Sequence, residues 1–398
     1  MRISTANNYS STIETLMDRQ VKLSSTQEQM TSGKRVNRAS DDPAAAARAE
    51  RAYAAEKRAD ASQRAVDASS NAMTLTESAL GDAGSLLQQV REALVAAGNA
   101  TYSDTERAGV AHQIADLRQQ LLAVANRTDG AGNHLFGGQS ASVAPFSDMP
   151  GGVQFQGAAG ATQSASADAL PLTLDGRTAW MNARSGNGVF ETSAVTSTGS
   201  AWIDAGKVID PSAITGATYS IQFSVSGGST TYSVLEGGVP TAQTNVAFTP
   251  GQAVQVDGMS ASIAGQPANG DVFRLAPASP SLSVFDALDK AIAELGTPNR
   301  TGTQIAQGNV ANLSNIDAVM NQLSAARSQV GATMNRTGAV TDRLSSQKLS
   351  SQTERSNAED LDMTQAISDF SNQQTGYDAA LKAYSMVQRL SLFNYLNG

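Results

Sequence analysis

The sequence predicts a mainly α-helical fold with a β-rich insertion. Three observations indicate this fold class: apolar side chains recur every seven residues near both ends of the 398-residue chain, they alternate every two residues in its middle, and the middle is rich in Gly, Ser, Thr and Pro. A seven-residue repeat is typical of coiled-coil helices, whereas a two-residue alternation is typical of strands with one buried face.

The first predicted helix carries a narrow apolar row. Leu16, Leu23 and Met30 follow one another at intervals of seven, and a companion row begins at Ile13 and continues with glutamines. The pattern stops at Gly33, a residue type that commonly follows the last helical position. We therefore expect a coiled-coil helix that ends at this glycine.

The segment after this helix is predicted to be a joint between two helices. Asp41 or Asp42 can cap the next helix, and Pro43 suits its first position because a missing N–H costs nothing there. The predicted joint comprises Gly33, Lys34, Arg35, Arg38, Asp41, Asp42 and Pro43. Its cations either lie in solvent or contact acidic groups on a neighbouring subunit. A nucleic-acid contact is disfavoured because no aromatic residue lies among them.

Helical periodicity continues on both sides of the insertion. After an alanine-rich run, five apolar residues are spaced by sevens: Val66, Met73, Leu80, Leu87 and Leu94. Helical spacing returns over residues 282–295 and 313–344. The last segment has a seven-residue row with a second row beside it: Met363, Phe370, Tyr377 and Tyr384, with Ile367 and Leu381. We expect helices throughout these segments.

The insertion has the pattern of antiparallel strands. Tyr219, Ile221 and Phe223 alternate with polar residues, and turn sequences such as SGGS separate this run from similar ones. Residues 141–280 hold four Lys or Arg and nine Asp or Glu, whereas residues 1–58 hold ten and seven. We expect the insertion to be a solvated outer domain and the chain ends to be contact surfaces.

The two ends of the chain are predicted to pack together. A narrow apolar stripe cannot bury itself, so the N- and C-terminal helices are expected to lie side by side as an antiparallel coiled coil. The predicted domains are a terminal coiled-coil layer (1–40 with 355–398), a helical middle domain (41–140 with 281–354) and a β-rich outer domain (141–280).

Composition disfavours several classes of protein. A net charge of −8 disfavours non-specific binding to nucleic acid or to anionic membranes. No apolar stretch is long enough to span a bilayer, and we expect no cleaved signal peptide because the first residues lack an apolar core. The absence of cysteine excludes disulfides and thiolate chemistry.

No constellation of catalytic or metal-binding residues is visible. His112 and His134 lack a second ligand at metal spacing, and capping explains Asp41 and Asp42 better than catalysis does. The DGAGN stretch at 129–133 lacks the glutamate that closes a calcium loop. We expect no enzyme activity and no cofactor or metal.

Four segments resemble a known family. They are the start MRISTANNYS, the stretch LSSTQEQMTSGKRVNRASDDPAAAARA, the loop HLFGGQ and the tail RLSLFNYLNG. Together they resemble the flagellin-related axial proteins of the bacterial flagellum. Pro43 and the FNYL tail are more similar to the proteins of the hook–filament junction than to filament flagellin.

The resemblance implies a structural role in motility. Proteins of this family have an inner coiled-coil layer, a helical middle layer and a variable outer domain, and they leave the cell unfolded through the flagellum-specific type III export channel. The implied location is the extracellular hook–filament junction. The implied partners are copies of the chain itself, the preceding junction protein, flagellin, and an export chaperone at the apolar C-terminal tip.

The terminal rows are the predicted assembly surface. It comprises Ile13, Leu16, Leu23, Met30, Phe370, Tyr377, Leu381, Tyr384, Leu390 and Phe393. Because the stripes are too narrow to stay folded alone, we expect residues 1–40 and 355–398 to be mobile in the monomer and to fold on assembly.

Three alternatives accompany this hypothesis. Filament flagellin is the nearest, since it shares the terminal segments. A coiled-coil cytoskeletal or adhesin-like binding protein is the second. An enzyme is the most distant, because no catalytic constellation is visible.

Overall fold

The computed structural model describes residues 5–165 and 167–396, with side chains from residue 10 to residue 386. The chain forms two compact units. The terminal unit holds the residues up to 64 and those from 341 onward, and the central unit holds residues 65–340. This boundary falls within helices, whereas the predicted layer boundaries lie near residues 40 and 355. The three predicted domains therefore stay a prediction.

Seven helices are present among the described residues. They are α1 (Thr5–Ser32), α2 (Pro43–Ala97), α3 (Asp104–Ala125), α4 (Gly176–Trp180), α5 (Val284–Gly296), α6 (Gly302–Glu359) and α7 (Met363–Leu396). The helices α2 and α6 each contribute to both units.

In the terminal unit, α1 and α7 form the predicted antiparallel pair. Thr26, near the end of α1, donates from Oγ1 to Oε1 of Gln373, near the start of α7, at 3.0 Å. Farther from this end, Arg19 of α1 lies beside Gly376 of α7. Residues with lower numbers on α1 thus meet residues with higher numbers on α7, which confirms the antiparallel coiled coil.

The first part of α2 packs on the last part of α6 within the same unit. Small side chains are buried along this part of α2: Ala45, Ala49, Ala52 and Ala59. Glu56 is also buried, and it accepts from Gln352 and pairs with Arg355 at 2.9 Å. The alanine run therefore favours the helix by its intrinsic propensity and permits a close approach of α6.

The central unit contains a helical core with aromatic side chains. The seven-residue row of α2 is buried there from Met73 to Leu94, together with Ile114 of α3 and Ile316 of α6. Trp180 of α4 stacks on Phe285 of α5 with ring centroids 6.0 Å apart. The heptad spacing of α2 thus predicted the buried face correctly.

Within the described residues, the strands form three antiparallel sheets. A hairpin consists of β1 (Phe146–Met149) and β2 (Gly152–Phe155). The other strands are β3 (Phe190–Thr196), β4 (Trp202–Ile203), β5 (Lys207–Val208), β6 (Tyr219–Ser226), β7 (Ser229–Glu236), β8 (Val239–Pro240), β9 (Val246–Ala247), β10 (Ala253–Val256), β11 (Met259–Ala264) and β12 (Val272–Pro277).

Strands β3 to β12 enclose a second hydrophobic core. One sheet has the order β3-β12-β6-β7-β8, with β9 also pairing with β7, and the other has the order β10-β11-β4, with β5 also pairing with β11. Tyr219, Ile221 and Phe223 point into this core together with Val254 and Ile263. The predicted antiparallel β-rich insertion is confirmed.

The β1–β2 hairpin and α4 belong to the helical core, although residues 141–280 were predicted as one β-rich domain. Phe146, Val153 and Trp180 are buried with the helices of the central unit. The hairpin has the same polar, turn-rich composition as the rest of the insertion, so only its tertiary contacts show that it belongs to the helical core.

Arg118 of α3 connects three elements of the helical core. Its guanidinium group binds both carboxylate oxygens of Asp148 in β1, at 2.7 and 3.0 Å, and also binds Asp289 in α5 at 2.9 Å. The Arg118 side chain is only 8% exposed. The hydrogen bonds from Arg118 lower the pKa of Asp148 below its usual range. This cation therefore fixes the hairpin and α5 against α3.

We predict that Arg118→Met lowers the free energy of unfolding of the central unit by about 1.5–3 kcal/mol, because two partly exposed carboxylates lose the hydrogen bonds from a shared buried partner. Both tryptophans, Trp180 and Trp202, lie in the central unit. Urea unfolding followed by tryptophan fluorescence therefore reports on this unit. The matched control is Arg91→Met, which removes a half-exposed ion pair with Asp317 and should cost about 1 kcal/mol or less. Equal losses in the two variants would contradict the role of Arg118.

Candidate assembly surface and helix joint

The end of α1 is a glycine turn. Gly33 has a φ of +72°, which a residue with a Cβ rarely adopts, and its N–H donates to the Gln29 carbonyl at 2.9 Å. The Gly33 carbonyl accepts from the N–H of Leu361 at 3.0 Å. The glycine predicted to end the helix thus also contacts the connection between α6 and α7.

Two aspartates shape the start of α2. Asp42 accepts from the N–H of Ala45 at 2.9 Å, and Pro43 is the first helical residue. This backbone hydrogen bond is the main reason that the pKa of Asp42 is lowered. Asp41 accepts from the N–H groups of Asn37 and Arg38, at 3.1 and 2.8 Å. The two carboxylates therefore serve as a helix cap and a turn brace.

The three cations of the joint contact acidic side chains of their own chain. Lys34 pairs with Glu359 at 3.2 Å, Arg35 with Asp42 at 3.2 Å and Arg38 with Glu28 at 3.3 Å. The sequence left two alternatives, free solvent or a neighbouring subunit, and the structure shows a third arrangement. The sequence could not indicate the Lys34 pair, because Glu359 is more than 300 residues away, whereas Asp42 and Glu28 are only 7 and 10 residues from Arg35 and Arg38.

The joint holds two chain connections side by side. The N–H of Arg35 donates to the Glu359 carbonyl at 2.7 Å, and the Arg35 guanidinium donates to the Ala358 carbonyl at 2.8 Å. Lys34 and Asp360 form an isolated antiparallel bridge. The turn from α1 to α2 is therefore bonded to the turn from α6 to α7. Since the first turn follows α1 and the second precedes α7, the joint sets the alignment of the antiparallel pair.

Most of the predicted assembly residues face the partner helix within the same chain. The half-buried members are Ile13, Leu16, Leu23 and Met30 on α1, and Phe370, Tyr377 and Tyr384 on α7. Leu381 differs, because it is 40% exposed. The side chains of Leu390 and Phe393 lie outside the described residues. The heptad rows thus form the seam between α1 and α7, and a role in assembly stays a prediction.

A second apolar surface lies outside the seam. On α1, Met17 and Val21 are 61% and 68% exposed, and on α7 Ile367 is 55% exposed. Sequence reasoning missed Met17 and Val21 because they lie off the heptad row. Their spacing of four residues, which places both on one side of the helix, was the available signal. These residues and Leu381 are called the outer apolar surface below.

Two structural features of the described part of the chain concern metal ions and membranes. There, no group of three or more acidic or histidine side chains is arranged to hold a metal ion. Among the helices searched, none carries an apolar segment long enough to cross a membrane.

Two family models match the ends of this chain. The model of the bacterial flagellin N-terminal helical region matches residues 3–141, and that of the C-terminal helical region matches residues 313–396. Together they cover more than half of the chain and include both helices of the antiparallel pair.

A comparison with individual proteins also finds flagellar relatives. The flagellar hook-associated protein 3 of Salmonella typhimurium is 36% identical over 152 residues, which are 38% of this chain and 48% of that protein. The match thus spans about half the length of this curated relative.

Two solved structures share the fold. The FlgL structure from Xanthomonas campestris is 27% identical, with a TM-score of 0.68, and covers 77% of this chain and 99% of its own. The flagellar junction protein FlgL of Legionella pneumophila is 25% identical, with a TM-score of 0.65, and covers 70% and 95%. With both terminal flagellin regions matched and the fold shared, this chain belongs to the flagellin superfamily.

Proposed function

We propose that the chain is a structural axial protein of the bacterial flagellum that forms the junction between hook and filament and supports filament assembly and motility. The observation that carries this proposal is the α1–α7 pair, which buries one seam and leaves a second apolar surface exposed. The hook-associated and junction proteins among its relatives supply the location.

Assembly supplies the partner that the outer apolar surface lacks. Fully burying one Val, Leu, Ile or Met side chain contributes about 1.5–3 kcal/mol. Several such residues on each copy make association favourable even after the entropy of ordering is included. Folding of the terminal helices and polymerisation are therefore coupled, and the seam aligns the surface that the next copy contacts.

The proposed partners follow from a position at the junction. Copies of the chain itself surround each terminal unit, the preceding junction protein lies on the hook side, and flagellin lies on the filament side. An export chaperone binds the apolar C-terminal tip before assembly, and the chain leaves the cell through the flagellar export channel without a cleaved signal peptide.

Filament flagellin is the alternative, since the two family models describe flagellin regions. The relatives named above are hook-associated or junction proteins, and this favours the junction. The two roles differ in the amount and position of the protein along the flagellum.

We predict a single band at the hook–filament boundary when intact flagella are labelled with antibody and gold. A junction protein occupies only a short zone, because flagellin continues the structure beyond it. Labelling along the whole filament would favour flagellin, and the absence of label from flagella would contradict both roles. Antibody against a filament flagellin serves as the positive control.

We predict that Ile367→Asp on the outer apolar surface prevents junction assembly without lowering the helix content of the unassembled chain, because Ile367 is 55% exposed there. The loss is about 1.5–3 kcal/mol per contact, or about tenfold to a hundredfold in affinity. Leu23→Asp should prevent assembly and also lower the helix content of the unassembled chain, since Leu23 lies in the seam. Circular dichroism measures the helices, and swarming measures the junction.

The matched control for these variants is Ser24→Asp, at an exposed polar position of α1. It should swarm as the unchanged protein does. Normal swarming by Leu23→Asp or by Ile367→Asp would count against the terminal helices as the assembly surface.

We also predict weak hydrogen-exchange protection for residues 10–40 and 355–386 in the dilute monomer. A pair of helices with one narrow seam opens at low free-energy cost. The buried row of α2 from Met73 to Leu94 is the internal reference. Comparable protection of the two regions at low concentration would show that folding does not require assembly.

A further inference from the structure

The outward face of α2 in the terminal unit carries two cations without a partner. Arg51 and Arg58 are exposed, and no ion pair to either occurs within the described part of the chain. They are seven residues apart, so their Cα atoms lie about 10 Å apart along one side of the helix. Beside them Ala47, Ala54 and Ala61 are small and exposed, and the charged Arg48 and Glu50 are also exposed on this side.

Other charges nearby are already satisfied. Asp60 binds Lys348 at 2.7 Å, and Glu56 binds Arg355 at 2.9 Å. These acids lie on the side of α2 that contacts α6. Arg51 and Arg58 therefore point away from the pairs that join α2 to α6.

The outer face of α1 has the opposite charge. Glu14, Met17, Asp18 and Val21 are spaced by three, one and three residues, which places all four on one side of the helix. All four are exposed. Neither acid forms an ion pair within the residues that the structure describes. This face combines two carboxylates with the two apolar side chains that the seam does not cover.

We propose that the α1 face defined by Glu14, Met17, Asp18 and Val21 docks on the α2 face defined by Arg51, Arg58 and their flanking alanines in a second copy of the chain. This inference rests on the proposed function as an assembling axial protein and adds which surfaces meet. The partner that docks on each face is a second copy of the chain, because the surface of complementary charge is on the chain itself.

Charge determines which faces can meet. Two α2 faces would oppose arginine with arginine, and two α1 faces would oppose carboxylate with carboxylate, so like faces repel. Only the α1 face against the α2 face brings opposite charges together. The alanines leave space for Met17 and Val21 to contact the α2 backbone closely, which adds apolar burial to the ion pairs.

Two different faces make a heterologous contact. Such a contact leaves one free α1 face and one free α2 face on every pair of copies, so it continues into a ring or a helix instead of ending at a dimer. This property is the one that an axial structure needs.

A cysteine pair tests the contact directly, because the natural chain contains no cysteine. Flagella are isolated from cells whose only copy is Met17→Cys with Ala54→Cys, and thiols are oxidised by oxygen with copper phenanthroline. We predict a ladder of products at multiples of the chain mass. The control pairs Met17→Cys with Tyr53→Cys, about a quarter turn around α2, and should give at least ~5-fold less product.

Several results would overturn the contact. They are monomer alone from flagella that contain the variant, equal yield from the control, dimers from Met17→Cys by itself, or a product that contains another protein. Absence of the unchanged chain from isolated flagella would instead overturn the proposed function.

Charge reversal gives an independent test. Arg51→Glu with Arg58→Glu, and Glu14→Lys with Asp18→Lys, should each reduce incorporation into flagella by ~10-fold or more, because both make the two docking faces alike in charge. Expressed together, the two variants should restore incorporation, since each then meets a partner of opposite charge.

The control for charge reversal is Arg184→Glu with Lys207→Glu, at exposed positions of the central unit. It changes the net charge by the same amount and in the same direction as Arg51→Glu with Arg58→Glu, and it should incorporate normally. Normal incorporation of either reversed variant alone, or no restoration when the two are expressed together, would overturn the proposed contact.

Discussion

Two helices side by side can bury only one narrow row each, and this constraint governs the terminal unit. In α1 the row of Leu16, Leu23 and Met30 is used completely by the contact with α7, and it is still only half-buried. Met17 and Val21, a short way around the helix, remain in solvent. A protein that functioned as a monomer would lose stability by exposing them. In a protein whose proposed role is to polymerise, the same exposure supplies the free energy of association.

The joint keeps this weakly packed pair of helices aligned. Glycine at position 33 turns the chain, and the backbone bonds from Arg35 to Glu359 and from Leu361 to Gly33 connect the two turns directly. Backbone bonds fix the alignment more strictly than exposed ion pairs do, because the latter contribute about 1 kcal/mol or less and are screened by salt. The cations of the joint form ion pairs across and beside these two turns. Their ion pairs within the chain distinguish them from Arg51 and Arg58, for which no ion pair occurs among the described residues.

The sequence predicted what depends on local periodicity and on backbone chemistry. Heptad rows located the seam and the buried face of α2, alternation located the strand with Tyr219, and Gly33 and Pro43 marked the ends of two helices correctly. It could not predict contacts between distant segments, such as Lys34 with Glu359 or Arg118 with Asp289. The exposure of Met17 could not be predicted for a related reason. A residue beside the heptad row is buried only if further helices pack around α1, and the spacing of the row does not give the number of neighbouring helices.

The distribution of aromatic side chains explains why the two units can differ in their dependence on assembly. Phe136, Phe146, Trp180 and Phe285 are buried in the helical core of the central unit, and Phe223 and Phe273 are buried in its β core. Among the described aromatic residues of the terminal unit, Tyr53 is exposed and Phe370, Tyr377 and Tyr384 are only half-buried. Aromatic residues contribute the largest buried areas of any side chain. The central unit therefore has its own source of stability, whereas the α2–α6 contact of the terminal unit rests on alanines and the α1–α7 contact on one seam. A chain built this way can present a folded central unit while its ends complete their packing only against other copies.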